Sequence, residues 1–387
     1  MRDLPLSELQ AGIALLPAPP RTERAIRVGV KVAAELASVS APGGVTVRGA
    51  AAGENVALVR SLARATFQAS PQAGRLRLLE TGDVLEHASV LPADAAALVA
   101  VDTTPYRGIV EVLPAEGGRL SAVNVVPLED YLRGVVPNEL APEAFPQIEA
   151  LKAQAVAARS YVLAHLGDYA SRGYDVCATA ACQVYRGSSS EHRLSDRAVA
   201  ETRGIVATWR GRPIHAFYTS TCGGHTEEGT AVFEDDAPYL RGVACPTERA
   251  LADPTERGGS WEVRLAPDRV AQSVARYGSV GRIQDLVPTR VGVSGRVVEL
   301  RVIGSEGELD LRGQRVRLGL GLRESLFVLR KETGPQGELE RFVITGKGWG
   351  HGVGLCQVGA SGMARAGASF EEILKHYYTG IAVSSLL

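Results

Sequence analysis

The sequence predicts an α+β fold on three observations. Ile26, Val28, Val30 and Val32 alternate with other residues, the period of a half-buried strand. From about Pro146 to His165 the period changes: Leu151, Ala155, Ala158 and Val162 fall at i, i+4, i+7 and i+11 and make one apolar helical stripe. Alternation returns over 261–330, with Val298, Leu300 and Val302, then Leu309, Leu311, Val316 and Leu318. The expected order is a β-rich amino-terminal part, a helical segment, a β-rich insertion, and a carboxyl-terminal glycine-rich motif with a helix that completes a groove.

Residues 1–23 read as a lead-in, because Pro17, Pro19 and Pro20 discourage regular structure. Residues 24–120 are the β-rich region, with short apolar runs such as 108–112, and a further run, 122–126, follows it. Residues 121–387 form a second domain whose insertion covers about 255–340. Within it, Leu128 to Leu140 predicts a short helix and then a turn at Pro137. Pro146 suits the first turn of the long helix and Gly167 its exit. Ser195 is placed to cap a helix ending near Gly204. Ile205–Trp209 and Ile214–Tyr218 read as a hairpin across Gly211. Residues 346–362 are a glycine-rich turn segment. Ser369 and Glu372 then make a capping box for a last helix whose apolar face is Phe370, Ile373, Leu374 and Tyr377.

Composition excludes several classes. The chain has 387 residues with 42 basic and 43 acidic side chains, so no global positive field exists to hold nucleic acid or an anionic membrane. No apolar run reaches the roughly 20 residues of a membrane span. The apolar stretch Ala11 to Leu16 is shorter than a signal-peptide core. Either the protein is cytoplasmic or this chain starts after a removed export signal, and membrane contact would require an anchor lost with that signal.

Four constellations could carry chemistry. In Tyr131-Leu132-Arg133-Gly134-Val135-Val136-Pro137-Asn138-Glu139, the glutamate is flanked by apolar neighbours. Burial disfavours a charged carboxylate, so such a group tends toward a raised pKa, as a general acid requires. A solvated glutamate or a helix cap fits the same spacing. On the long helix, Lys152 and Arg159 are seven apart and share a face, with Gln154 on the other side of the stripe. They read either as solvated charges or as a fringe on a groove for a polar polymer. In the third constellation, residues 219–227, Gly223 and Gly224 permit close backbone approach beside His225 and Thr226. A Ser–His nucleophile is disfavoured because no nucleophile-elbow pattern accompanies it. In the fourth, residues 348–360, the glycines surround Trp349 and His351 without a phosphate-loop ending. They read either as a tight turn with a buried histidine or as a glycan-contacting wall.

The five cysteines leave at least one thiol unpaired. Cys177 and Cys182 are candidate zinc ligands, but structural zinc usually takes four protein ligands and this loop holds no histidine. His225 and Cys222 could join only if the fold brings them close. A Cys222–Cys245 disulfide, with or without a Cys177–Cys182 one, is an equal alternative. Cys356 is then the expected free thiol.

Together these motifs resemble the stage II sporulation protein D / amidase-enhancer family. The matching stretches are 128–139, 150–161, 182–187, 220–226 and 348–354, in the family's order. The resemblance implies a peptidoglycan lytic transglycosylase that cuts the β-1,4 bond between N-acetylmuramic acid and N-acetylglucosamine and leaves 1,6-anhydro ends. Its catalytic glutamate falls on Glu139. Contacts to glycan strands, expected to be stem-free, would come from Lys152, Gln154, Arg159, Tyr161, Gln183, Tyr185, Tyr218, Gly223, Gly224, His225, Thr226, Trp349, His351 and Gln357. The glycine motif is expected to fold back beside Glu139. No cofactor is expected to be required: some members bind zinc in the loop before Gln-Val-Tyr using histidines too, and those histidines are missing here. The substrate implies a cell-envelope location. A cell-wall amidase is the expected protein partner if the chain is instead a non-catalytic enhancer. A zinc hydrolase is disfavoured because no His-Glu-x-x-His cluster exists.

Overall fold

The computed structural model describes residues 24–51, 57–70, 74–233, 235–245 and 259–385. The expected lead-in over 1–23 and the start of the insertion at 255–258 lie outside the described residues. The chain divides into two compact units, one of Met1–Pro142, Val162–Gly204 and Ser385–Leu387, the other of Glu143–Tyr161 and Ile205–Ser384.

The first unit is built on a ten-stranded sheet. Its strands are β1 (Ala25–Ala34), β2 (Leu36–Ala51), β3 (Ala57–Ala69), β4 (Leu76–Leu78), β5 (Val84–Pro92), β6 (Val99–Val101), β7 (Thr104–Tyr106), β8 (Ile109–Ala115), β9 (Arg119–Pro127) and β10 (Val176–Cys177). Their spatial order is β10-β1-β9-β8-β5-β4-β3-β2-β6-β7, and β2 also pairs with β5. Strands β2 to β5 therefore close a ring, which leaves no open edge among them. All pairs are antiparallel except β1 with β10.

The alternation expected in β1 is kept at Ile26 and Val28, which are fully buried, and then fails. Register shifts follow Gly29 and Lys31, Ala33 has φ +53°, and Val32 is 40% exposed. A bulge turns the later side chains outward. In β9, Leu120 to Val126 are all buried, so both faces are covered and an apolar run replaces alternation. Asn124 breaks that run, and its amide is satisfied by donating to the carbonyls of Arg107 and Ile109 at 2.9 and 3.0 Å.

β9 feeds directly into α1 (Leu128–Arg133), and α2 (Val136–Glu139) follows after two residues. Pro137 is thus in the first turn of a second short helix, where its missing N–H costs nothing, and not in the expected turn. Arg133 ties this segment down by ion pairs with Glu191 at 2.8 Å and Asp196 at 2.9 Å. Asp196 belongs to α4 (Arg193–Glu201). His192 caps that helix by accepting from the Leu194 N–H. Ser195, the expected cap, is buried in the first turn and donates to the His192 carbonyl at 2.8 Å.

The long helix α3 (Ile148–Ala164) belongs to the second unit up to Tyr161. It has more than an apolar stripe: Ala150, Ala153, Ala155, Ala157 and Ala158 are all fully buried, as are Gln154, Arg159 and Ser160. Small side chains let its neighbours close in on several faces. Next, β11 (Ile205–Trp209) pairs with β12 (Arg212–Pro213) across Arg210 and Gly211, both at positive φ, a type I′ arrangement. The hairpin is shorter than expected. Tyr218–Thr219 (β13) pairs in parallel with Leu355–Cys356.

The insertion has its own core, in which Val270, Leu300, Val302, Leu311, Val316, Phe342 and Ile344 are fully buried. Its strands are β14 (Ser260–Leu265), β15 (Ile283–Val291), β16 (Val297–Gly304), β17 (Gly307–Arg312), β18 (Phe327–Thr333) and β19 (Leu339–Lys347), in sheets ordered β14-β19-β18 and β15-β16-β17. Val298, Leu300 and Val302 alternate inward as expected. Val316 and Leu318 do not: Gly313, at φ +53°, ends the strand and a helix runs from Gln314 to Leu320. Val316 and Leu320, four apart, face the core while Leu318 is exposed. The helix Pro267–Val274 was also unforeseen, although Val270 and Val274 carry its spacing and Pro267 its start.

The expected turn segment 346–362 is a turn only over 348–354, because Gly346 and Lys347 still belong to β19. β20 (Leu355–Cys356) and a helix over Gln357–Arg365 occupy its remainder. The last helix, Phe370–Tyr377, has the expected capping box at Ser369 and Glu372. Replacing Ser369 with Ala should lower unfolding stability by about 1 kcal/mol in urea titration, since the N-cap acceptor is lost.

Candidate functional site

The motifs assemble into two groups, one in each unit. In the first unit, the segment Gln183-Val184-Tyr185 lies against residues 131–139. Glu139 ends α2 half-buried, and the Val184 N–H donates to its Oε1 at 2.7 Å. Tyr131 donates to Gln183 Oε1 at 3.0 Å. The Tyr185 hydroxyl donates to Asn124 at 2.8 Å, and its ring packs 5.0 Å from Tyr131. Gly134 makes this approach possible, because a Cβ there would meet the Tyr185 ring at 2.5 Å. Asn138 braces the same turn by donating to the Gly134 carbonyl and to Ser190 Oγ at 2.7 and 2.8 Å. Glu139 is therefore aimed by backbone, on a support that the sheet supplies through Asn124.

In the second unit, residues 218–227 and 348–356 form one structure although some 130 residues separate them. Beyond the β13–β20 pair, Thr221 bridges Trp349, and the Glu227 N–H donates to the Gly352 carbonyl at 2.7 Å. Gly348, Gly350, Gly352 and Gly354 all have positive φ. At Gly354 a Cβ would overlap the Phe217 carbonyl, and at Gly352 it would overlap the Arg296 guanidinium. The glycines thus answer both a backbone and a space requirement. Gln357, on the helix that follows, donates to Gln154 Oε1 at 3.2 Å.

His351 is fixed in this turn. Its Nδ1 accepts from the Val353 N–H at 3.1 Å, and its ring meets Phe233 edge-on at 4.9 Å. Part of the residue reaches solvent, but the imidazole is enclosed. Burial, the largest cause, then the charge of Arg317, and lastly that of Arg296, push it down to about 3, against a backbone hydrogen bond to Tyr218. It stays neutral at ordinary pH and locks the turn. Trp349 is the exposed residue here, at 43%, with the Arg323 guanidinium 4.9 Å from its ring centre.

A cleft of about 750 Å³ opens beside the other turn, lined by Gly223, Gly224 and His225 with Ser260, Leu326, Phe327 and Lys347 among others. His225 Nδ1 pairs with the Thr226 carbonyl at 2.7 Å. Lys152 is half-buried and pairs with Glu149 at 2.9 Å. Tyr161 is nearly buried, 6.0 Å from Phe217 and 6.4 Å from Tyr218, which is half-buried.

Gln154, Arg159, Gln183 and Thr226 have no exposed surface, and Tyr185 and Gln357 almost none. Arg159 donates to the Ile205 carbonyl at 3.0 Å. The expected cationic fringe is therefore corrected at Arg159, which the helix turns inward, and these six side chains present little or no surface to a ligand.

Cys177 and Cys182 are joined as a disulfide, with Cα atoms 5.6 Å apart. Zinc does not fit them, because bonded sulfurs are not thiolate ligands. The alternative Cys222–Cys245 disulfide is also corrected: neither sulfur is in a disulfide, and the Cys356 sulfur lies beside both.

Sequence reasoning missed Arg296 and Glu324, and it included Glu227 in the third constellation without a role of its own. Arg296 is fully buried and donates to the carbonyls of His225 and Cys222 at 2.8 and 2.7 Å and to Glu324 at 3.2 Å. Glu227, also fully buried, accepts from the N–H groups of Val293 and Ser294, each at 3.2 Å. Arg296 and Glu324 sit in stretches of mixed polar and apolar residues where no local signal marks a buried charge.

A family model described as stage II sporulation protein matches residues 116–209, and a domain of unknown function matches 250–354. The chain is 34% identical over 282 residues to stage II sporulation protein D of Bacillus amyloliquefaciens, covering 68% of this chain and 76% of that protein. It is also 34% identical over 268 residues to an uncharacterised protein of Brachyspira hyodysenteriae, covering 67% of each. It is 29% identical to the amidase enhancer of Bacillus subtilis over 66% of this chain, which spans 40% of that protein. The chain belongs to the stage II sporulation protein D and amidase-enhancer family.

Two measurements check this account. Glu324→Gln leaves the Arg296 charge buried without its counterion, and should destabilise the protein by about 3 kcal/mol or more in denaturant titration. For His351 the folded pKa is depressed, so the unfolded chain binds the extra proton. Stability is complete above the unfolded value and falls with pH toward the folded one. Between pH 7 and about pH 5 wild type should lose about 2 kcal/mol more than His351→Asn, by paired melts.

Proposed function

We propose that the protein is a peptidoglycan lytic transglycosylase in which Glu139 is the single acid/base. The observation that carries this reading is the half-buried Glu139 carboxylate oriented by the Val184 N–H at 2.7 Å, within the segment that the family model matches. A group that must deliver a proton to one oxygen needs fixed aim more than exposure.

The chemistry closes with one carboxyl. Protonated Glu139 gives its proton to the oxygen bridging N-acetylmuramic acid and N-acetylglucosamine, and the C1–O bond breaks. The C6 hydroxyl of the same muramic residue attacks C1, and its proton returns to Glu139. No water is consumed and the new end is a 1,6-anhydro ring. A glycosidase of the two-carboxylate kind needs its second acid for a nucleophile or a water, and here the C6 oxygen replaces both. Lys152, Tyr218, Gly223, Gly224, His225 and Trp349 retain surface for contact with a glycan, whereas the buried Gln154, Arg159, Gln183, Tyr185, Thr226 and Gln357 act as supports. Such a substrate implies action outside the cytoplasm. Among the described residues no helix is long and apolar enough to cross a membrane.

A second reading is favoured by the likeness to an amidase enhancer. On it, the chain binds glycan and stimulates a cell-wall amidase without cutting. Incubation with stem-free glycan strands and mass spectrometry separates the two. The enzyme should yield 1,6-anhydromuramyl ends, and Glu139→Gln should lower their rate by about 10²–10⁴-fold. Ordinary reducing ends would mean hydrolysis. Inert wild type with an accelerated amidase would mean the enhancer.

A further inference from the structure

The second unit holds a feature that this reading does not use. Cys222, Cys245 and Cys356 are all buried, and their Sγ atoms lie within 4.8 Å of one another. They come from three places: the Thr221–His225 turn, the bridge that pairs Ala244 with His225, and the residue that caps the helix Gln357–Arg365. We infer that these three thiols form a binding site for one thiophilic d¹⁰ cation, zinc(II) or copper(I), which staples the glycine turns together.

The geometry argues for a metal over a sulfur–sulfur bond. A cation at a metal–sulfur distance of about 2.3 Å sets its thiolates about 3.8–4.0 Å apart, so small adjustments of three side chains suffice. A disulfide needs about 2.05 Å, would use two of the three, and would leave one sulfur over. The chain forms a disulfide at Cys177–Cys182 and none among these three. Burial pushes the Cys356 thiol well above its ordinary range, so the cation itself must displace the proton, and two donors stand ready to meet the thiolates it leaves. The Gly359 N–H donates to Cys356 Sγ at 3.4 Å, and the Tyr377 hydroxyl lies 3.0 Å from Cys245 Sγ. Once Cys245 is deprotonated, that hydroxyl must donate. Gly359 provides the space, since a Cβ there would overlap both Cys245 Sγ and the Tyr377 oxygen.

Binding balances as three thiols losing three protons to the solvent, which leaves a net charge of −1 with zinc(II) or −2 with copper(I). Soft thiolate donors exclude magnesium and calcium. Copper(I) accepts three sulfurs alone. Zinc(II) usually takes a fourth ligand, and among the described residues no histidine, carboxylate or further thiol joins the three.

The test uses the full chain, stripped with a chelator under anaerobic conditions and without reductant, so that the Cys177–Cys182 disulfide stays intact. Three thiols should titrate after denaturation. Separate titrations with Zn²⁺ and with Cu⁺ should give one equivalent of one of them per chain. Loading should shield all three thiols in the native protein and raise the Tm by about 5 °C or more. Cobalt(II) should give thiolate charge-transfer bands if the site prefers four ligands. Cys356→Ser, which keeps a capping side chain, should lose the equivalent, and Gly359→Ala should weaken it at least tenfold. The site is refuted if neither cation binds stoichiometrically to wild type. It is equally refuted if only one thiol titrates and the mass is lower by two hydrogens, which marks a second disulfide.

Discussion

The guanidinium of Arg296 is a charge wholly removed from the surface, and the second unit is arranged to give its two terminal nitrogens partners, with Nε left without one. Its partners are the carbonyls of Cys222 and His225 and the carboxylate of Glu324. Its flank presses on Gly352, where any side chain would overlap it. One rigid fork therefore reaches two turns far apart in the chain, and a lysine could not, having a single point charge and no plane. Arg296 precedes β16 of the insertion, so the insertion is a buttress whose core, from Val270 to Ile344, keeps that side chain in place. Glu227 works in the opposite direction, from the turn into the insertion, by accepting the N–H groups of Val293 and Ser294.

The first unit solves a related problem with backbone. A carboxylate on a four-residue helix has little to fix it, because so short a helix is not stable alone. Here the helix is pinned from both sides: Arg133 anchors its approach through Glu191 and Asp196, and the Val184 N–H holds Glu139 itself. The segment carrying Val184 begins directly after the disulfide of Cys177 and Cys182 and is tied to β9 through Tyr185 and Asn124. The orientation of Glu139 thus depends on the central sheet, several layers of contact away.

Much of this was legible before any coordinates. Ile26 and Val28, the 151–162 stripe, Val298 to Val302 and the Ser369 capping box each follow a local rule, and each is where that rule puts it. The failures have physical causes. Val32 turned outward because a bulge costs a strand its period. Val316 entered a helix because Gly313 at positive φ stopped the strand. Arg159 was read as a fringe because a helix with alanines on every side looks amphipathic until its neighbours are known. Of the disulfides the sequence allows, Cys177–Cys182 forms and Cys222–Cys245 does not, because a count of cysteines does not tell which sulfurs a fold brings into bonding distance.

The amino-acid order alone determined the α+β class, the long helix and the ordered motifs, because periodicity, capping and turn chemistry act within a few residues. Tertiary structure alone decided that residues 131–139 pair with 183–185 and residues 218–227 with 348–356. It also decided that Arg296 and Glu324 lie beneath the turns and that Cys222, Cys245 and Cys356 meet. Those contacts join positions tens to more than a hundred residues apart. A buried charge or a cluster of thiols is defined by its neighbours in space, and local sequence carries no record of them.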